Sequence, residues 1–237
     1  MERTYRTQMK SDDLVYFGVS LKETDLYIGA DTDLSAICTE TVAQLRGELE
    51  AYIDRHPEFL RALSPISIYR NAPEIALRMA QAAKIAGVGP MAAVAGAFSQ
   101  MLAERVDGLC SNLLIENGGD LYIKTDRSRH VAIYAGENKF KDNVKILMKA
   151  QESPMSICTS SGKFGHSLSF GLADSVTVFS KNAFLADAAA TSVCNRVRSA
   201  SDIEPALHFA MAMEGILGVL IIAEEKLGMI GNIELIK

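Results

Sequence analysis

Hydrophobic and polar positions alternate in short runs at the start of the chain. "RTYRTQM", "LVYFGVSL" and "TDLYIGA" carry β-branched and aromatic residues and are separated by "KSDD" and "KE", a pattern that predicts a three-strand meander. From Leu34 to Ile53 the period lengthens. Leu34, Ile37, Val42, Leu45, Leu49, Tyr52 and Ile53 recur at helical spacing, with Asp33 placed to cap the helix. After Pro57 and Pro65, "APEIALRMAQAAKIAG" places proline early and glycine last, which predicts a second helix. "VGPMAAVAGAFSQMLAERV" predicts a third whose face carries so little side-chain bulk that backbone or ligand can approach closely.

Further on, "SNLLIE" and "LYIKT" flank "NGGD", and "HVAIYAG" follows, so a second antiparallel set is expected. "MSICT" and "SVTVF" enclose a polar, glycine-rich loop, "NAFLADAAATSVCNRV" reads as another small-residue helix, and "GVLIIAEEKLGMIGNIELI" closes the chain as a hairpin. The order is neither all β nor a regular strand–helix alternation. The class is therefore α+β, with mixed, largely antiparallel sheets packed against small-residue helices. No low-complexity linker divides residues 1–237, so one domain is expected.

Composition narrows the function. The 237 residues are 49% hydrophobic and 22% charged, enough for a substantial core. A formal charge of −5 without a basic run argues against nucleic acid. "MERTYRTQMK" lacks the apolar centre of a secretory signal, and "GILGVLII" falls well short of the roughly 20 residues that span a bilayer, so a cytoplasmic protein without a membrane partner is expected. Cys38, Cys110, Cys158 and Cys194 form no Cys-x-x-Cys pair and read as buried free thiols.

Three segments carry candidate chemistry. In "ENGGD", Asn117, Gly118, Gly119 and Asp120 suit a type I′ hairpin, which accounts for the motif alone; bare glycine amides with Asn117, Asp120 or Glu116 also suit a ligand. In "TSSGKFGHS", Thr159, Ser160, Ser161, the Gly162 amide and Lys163 have the donors to surround an anion, although serine turns use the same residues, and His166 has the titration range for proton transfer. In "ADAAATS", Asp187 and Thr191 lie four apart, so a carboxylate and a hydroxyl share a helix face and can reach one hard cation such as magnesium. On spacing alone, a solvated helix face explains them better.

Taken in order, "NGGD", "TSSG" and "ADAAAT" resemble the motif series of the ApbE-like proteins, flavin transferases with a T-fold-like architecture. Over nearly the whole chain, "ETDLYI", "HPEFLRALSP", "GVGPMAAVAGA", "ENGGDLYI", "SSGKFGHSLSFGLADSVTV" and "ADAAAT" are similar to a compact family of uncharacterised proteins related to ApbE. The resemblance implies a magnesium-dependent reaction on FAD or a related nucleotide pyrophosphate, either moving FMN to a threonine of a protein acceptor or splitting FAD to FMN and AMP. By the same carry-over, Asp187 and Thr191 are metal ligands. Asn117, Gly118, Gly119 and Asp120 line the nucleotide, and Ser160, Ser161 and Gly162 lie near it. Val94, Ala95, Gly96 and Ala97 stand where the transferases carry an Ala-Lys-Gly-Tyr-like stretch, and their His-Ile-Ile-Asp-Pro segment has no counterpart. Two other readings stand beside the enzyme: a non-catalytic protein that binds flavin, nucleotide or another anionic metabolite, and a scaffold whose small-residue helices pack closely or self-associate.

Overall fold

The computed structural model describes Arg6 and residues 11–133, 139–140, 144–162 and 170–236. Two strands, β1 (Val15–Leu21) and β2 (Thr24–Ala30), open the chain as an antiparallel hairpin. The first run of the expected meander lies outside the described residues apart from Arg6. Helix α1 (Ser35–Arg55) follows and buries Val42, Leu45, Leu49 and Tyr52 of the face that the periodicity marks, with Cys38 turned inward in place of the expected Ile37, which is exposed. Asp33 accepts the Ser35 amide at 2.8 Å from one position before the N-cap, which is Leu34.

A short helix α2 (Glu58–Arg61) leads to α3 (Glu74–Ala86), which ends at Gly87 in the left-handed conformation (φ 72°). A 3₁₀ turn over Pro90–Ala93 feeds α4 (Val94–Arg105). Next come β3 (Leu113–Asn117), β4 (Asp120–Lys124), β5 (Arg129–Ala132), β6 (Lys145–Met148), β7 (Met155–Ser160) and β8 (Ser175–Ser180). Helices α5 (Ala183–Cys194) and α6 (Ile203–Met211) precede β9 (Ile216–Ala223), β10 (Lys226–Gly231) and β11 (Glu234–Ile236).

Eight strands form one sheet in the order β1-β2-β3-β4-β7-β8-β9-β10, and β11-β6-β5 form a second. Every strand pairing among the described residues is antiparallel. The expected second antiparallel set is corrected here. The β3–β4 hairpin continues the first sheet through β2–β3 pairing, and only β5 leaves for the smaller sheet. Alternation along the large sheet separates two cores. Leu26, Ile28, Ile115, Tyr122, Cys158, Val176, Val178, Val219 and Ile221 face the helices, while Ile123, Ile157, Phe179, Leu220 and Ile222 pack with Val131, Ile146 and Met148 of the small sheet. The result is three layers, helices, large sheet and small sheet, with α5 packed against α3, α4, β7 and β8. Among the described residues no single helix is long and apolar enough to cross a membrane.

Candidate functional site

Helix α5 is almost wholly buried, and its alanines let neighbouring backbone come close. Asn182 caps it by accepting the Leu185 amide at 3.2 Å, and Gln100 of α4 accepts the Ala183 amide at 2.7 Å. Helix α4 comes close at Gly96, where a Cβ would stand 2.1 Å from the Ala183 carbonyl oxygen. At this contact Asp187 Oδ2 accepts the Gly96 amide at 2.9 Å, and the Ala95 amide also faces the carboxylate. The first-turn amides of α4 thus meet an anion supplied by the chain's own side chain. Thr191, one turn further along α5, is buried, and Asp187 is half-buried, so the solvated-face reading of this pair is overturned.

The β3–β4 turn reaches the same place. Gly118 and Gly119 hold φ of 68° and 104°, values that residues with a Cβ rarely adopt. Buried Glu116 accepts the Gly119 amide at 2.8 Å and Arg6 Nε at 2.6 Å, bracing the turn from behind. Asn117 donates to the Ala95 carbonyl at 3.1 Å, which ties the hairpin to the start of α4.

Asp120 is 5% exposed, and its Oδ1 accepts the Thr159 amide at 2.8 Å, a bond from β4 to β7. Its carboxyl also meets that of Asp187. Burial raises both carboxyls, Asp187 to about 7 and Asp120 well above the ordinary range. The Asp187 charge pushes Asp120 further and Glu116 adds to it, while the Gly96 and Ala95 amides restrain the rise at Asp187. The neighbouring Cys158 thiol is also raised, by burial first and then by the two carboxyls. Its sulfur lies 3.4 Å from Ser156 Oγ and 3.9 Å from the Ala183 carbonyl, the setting of a packed thiol rather than a nucleophile.

The "TSSG" segment divides between two faces. Thr159 turns its hydroxyl to Thr177 Oγ1 at 2.9 Å, on the side of the small sheet, so it does not join an anion site with Ser160. Ser160 shares the helix-facing side with Ser156 and Cys158 and is 2% exposed, and its Oγ has no hydrogen-bond partner among the described residues. Gly162 serves close packing: a Cβ there would lie 2.0 Å from the Gly171 carbonyl, and one at Gly171 would lie 1.8 Å from the Cys194 carbonyl. Ser161 leads into this stacked base of the loop. Lys163 and His166 lie outside the described residues.

Asp187 therefore comes together with Asp120, and Asn117 reaches them through Ala95. Gly118 and Gly119 form the turn beside them, with Glu116 as brace. The sequence reading missed the parts played by Gly96, Gln100 and Cys158, although the small-residue face of "VGPMAAVAGAF" pointed to a close approach. The Asp120 and Asp187 carboxyls meet here, Thr191 follows Asp187 by one turn of α5, and Ser160 lies on the helix-facing side of β7, so the oxygens these elements offer are hard donors. They fit magnesium, which takes one or two carboxylates and leaves positions for water and phosphate. Among the described residues no three His, Cys, Asp or Glu side chains are grouped to hold a metal by themselves, so hydroxyls and ligand oxygens have to complete such a site.

A family model described as AbpE bacteria matches residues 6–226. The chain belongs to this family. It is 43% identical over 226 residues to a UPF0280 protein of Methanococcus maripaludis, covering 92% of each chain. It is 38% identical over 226 residues to a UPF0280 protein of Methanocaldococcus jannaschii, again covering 92% of each. Among solved structures it is similar to the flavin transferase ApbE from Vibrio cholerae, with a TM-score of 0.61 at 12% identity, covering 92% of this chain and 96% of the other. The apo form of Pseudomonas stutzeri flavinyl transferase ApbE gives a TM-score of 0.57 at 13% identity, covering 94% and 95%. The likeness to these two structures establishes an ApbE-like fold for this member of the AbpE bacteria family.

Proposed function

We propose that this protein is a magnesium-dependent enzyme acting on the pyrophosphate of FAD. The observation that carries the reading is the Asp187 carboxylate, fixed by the Gly96 amide at 2.9 Å, one helical turn from the Thr191 hydroxyl. A bound magnesium ion would neutralise phosphate charge and act as a Lewis acid. Asp187 and Thr191 would hold it, and the Asn117–Asp120 turn, with Ser160, Ser161 and Gly162, would form the surroundings of the nucleotide. In the transfer reaction a threonine hydroxyl of a protein acceptor attacks the FMN-side phosphorus, the bridging P–O bond breaks and AMP leaves. With water as the attacking group, the products are FMN and AMP. His166 is proposed on its chemistry alone as the group that takes the hydroxyl proton.

The fold shared with two flavin transferases and the hard-oxygen donor set support this reading. A binding protein on the same scaffold is the second reading, favoured by the absence of a lysine from Val94–Ala97 at the α4 start. Calorimetric titration of FAD, FMN, ADP and AMP, with and without magnesium, tests both against the Asp187→Ala variant. Magnesium-dependent FAD binding that is lost in the variant, together with chromatographic detection of AMP, supports the enzyme. Binding without AMP supports the binding protein, and no binding of any ligand overturns both.

A further inference from the structure

Asp120 and Asp187 arrive from a strand and a helix, and each is held by one backbone amide. Thr159 N–H occupies Asp120 Oδ1 at 2.8 Å, and Gly96 N–H occupies Asp187 Oδ2 at 2.9 Å. Neither carboxyl can turn away from the other without giving up its amide. The groups acting most on the pair are each other, Glu116 and the amides of Thr159, Gly96 and Ala95, none of them a cation. Without a metal the two carboxyls share a proton, Asp120 donating to Asp187; a divalent cation seated between them would take the place of that proton and leave both charged.

A second feature points to the same spot. Strand β7 runs alongside α5, with Cys158 beside the Ala183 carbonyl at the helix start and Gly162 stacked through Gly171 onto Cys194 at its end. Ser160 lies between these two anchors, beside the middle turns of α5 that carry Asp187. Strand alternation turns its side chain towards the helix. Its hydroxyl is the one buried side-chain polar atom among the described residues without a hydrogen-bond partner. An unpartnered buried hydroxyl is costly unless something occupies the space it faces.

We propose that Asp120 is a ligand of the same divalent cation as Asp187 and Thr191, with the Ser160 hydroxyl as a further oxygen donor. This deepens the proposed function and rests on it. Asp120, 5% exposed, lies at the buried end of the turn, where an ion seated between the two carboxyls reaches it. Two carboxylates balance the charge of a divalent ion, so the site holds its metal before any nucleotide arrives.

The test uses the full chain, free of metal and nucleotide, with Mn²⁺ as probe followed by electron paramagnetic resonance. The parent should take up one Mn²⁺, and Asp120→Asn and Asp187→Asn should each weaken binding by about tenfold or more. Ser160→Ala, which removes no hydrogen bond, should fold like the parent and bind Mn²⁺ several-fold more weakly. Thermal melting supplies a second readout: Mn²⁺ should raise the parent's midpoint and leave that of Asp120→Asn unmoved. The proposal is overturned if folded Asp120→Asn binds Mn²⁺ like the parent while Asp187→Asn does not, an outcome that leaves the flavin reading standing. Should Asp120→Asn fail to fold, an unchanged Mn²⁺ affinity in Ser160→Ala overturns it instead. A parent that binds no Mn²⁺ alone but does so with FAD also overturns the two-carboxylate site, whereas no binding under either condition removes the metal from the proposed function as well.

Discussion

Gly96 donates its amide to Asp187 while its α-carbon presses against the Ala183 carbonyl, so one residue both positions the carboxylate and sets the spacing of two helices. A Cβ at Gly96 would sit 2.1 Å from that oxygen and 3.1 Å from Asp187 Cβ. The oxygen belongs to backbone that Gln100 and the Asn182 cap hold in place, so relief requires α4 and α5 to separate. Gly96→Ala should cost about 1–3 kcal/mol or more and weaken ligand binding at Asp187. Gly47→Ala is the matched control. Gly47 is exposed within α1 and a Cβ there meets nothing, so that change should stabilise by about 0.5–1 kcal/mol. Urea unfolding of the two variants checks the contrast, and equal effects would count against the tight α4–α5 contact.

The β3–β4 turn makes a graded prediction. Gly118, at φ 68°, lies in the left-handed region that asparagine tolerates, whereas Gly119 at φ 104° lies beyond it and gives its amide to Glu116. Gly118→Asn should leave stability within about 0.5 kcal/mol, and Gly119→Ala should cost about 1–3 kcal/mol. Denaturation midpoints compare them, and nucleotide titration then asks whether the strained turn matters to binding. A Gly119→Ala variant as stable as Gly118→Asn would argue against the bracing role of Glu116.

Thiol accessibility probes the packing around the carboxyl pair. Cys38, Cys158 and Cys194 are buried and Cys110 is partly exposed. Maleimide treatment of the native protein should modify Cys110 first and leave Cys158 untouched until the chain unfolds, as read by intact mass and peptide mapping. Early labelling of Cys158 would mean that the space beside Asp120 opens to solvent.

Most elements were legible because their local signals agree with their burial. The helical period over Leu34–Ile53, the Pro73…Gly87 punctuation and the Asn-Gly turn each carry their meaning within a dozen or so residues. Helix α6 and strand β6 were not foreseen. β6 has only four residues, and its place depends on pairing with distant β5 and β11. In the candidate site, Asp187 and Thr191 were legible from i,i+4 spacing, but their burial was not, since it depends on α4 and β7 closing over α5. The meeting of Asp120 with Asp187 joins positions 67 residues apart (187 minus 120), and no local pattern encodes it. Gly162 of "TSSG" has a packing role that is equally non-local: it lets its backbone stack on that of Gly171, a contact no short pattern encodes.

Acid stability should depend on Asp13 and Arg129. Arg129 Nη1 and Nη2 reach Asp13 Oδ1 and Oδ2, each at 2.8 Å, and Arg129 Nε also donates to Thr125 Oγ1 at 3.2 Å. This two-pronged pair joins the chain just before β1 to β5 of the small sheet. The Arg129 hydrogen bonds, followed by that from Ser11, hold the Asp13 carboxyl far below its ordinary 3.8. Because the folded value lies below the unfolded one, the pair contributes its full stability above about pH 4 and loses it as pH falls further towards the folded value. Asp13→Asn should lower stability at pH 7 by about 1–3 kcal/mol, since it leaves a buried guanidinium with a weaker partner. The same variant should lose less stability than the parent between pH 4 and pH 2. Urea unfolding across that range decides the matter: parallel losses in both proteins would show that Asp13 does not carry the acid sensitivity of the contact between the sheets.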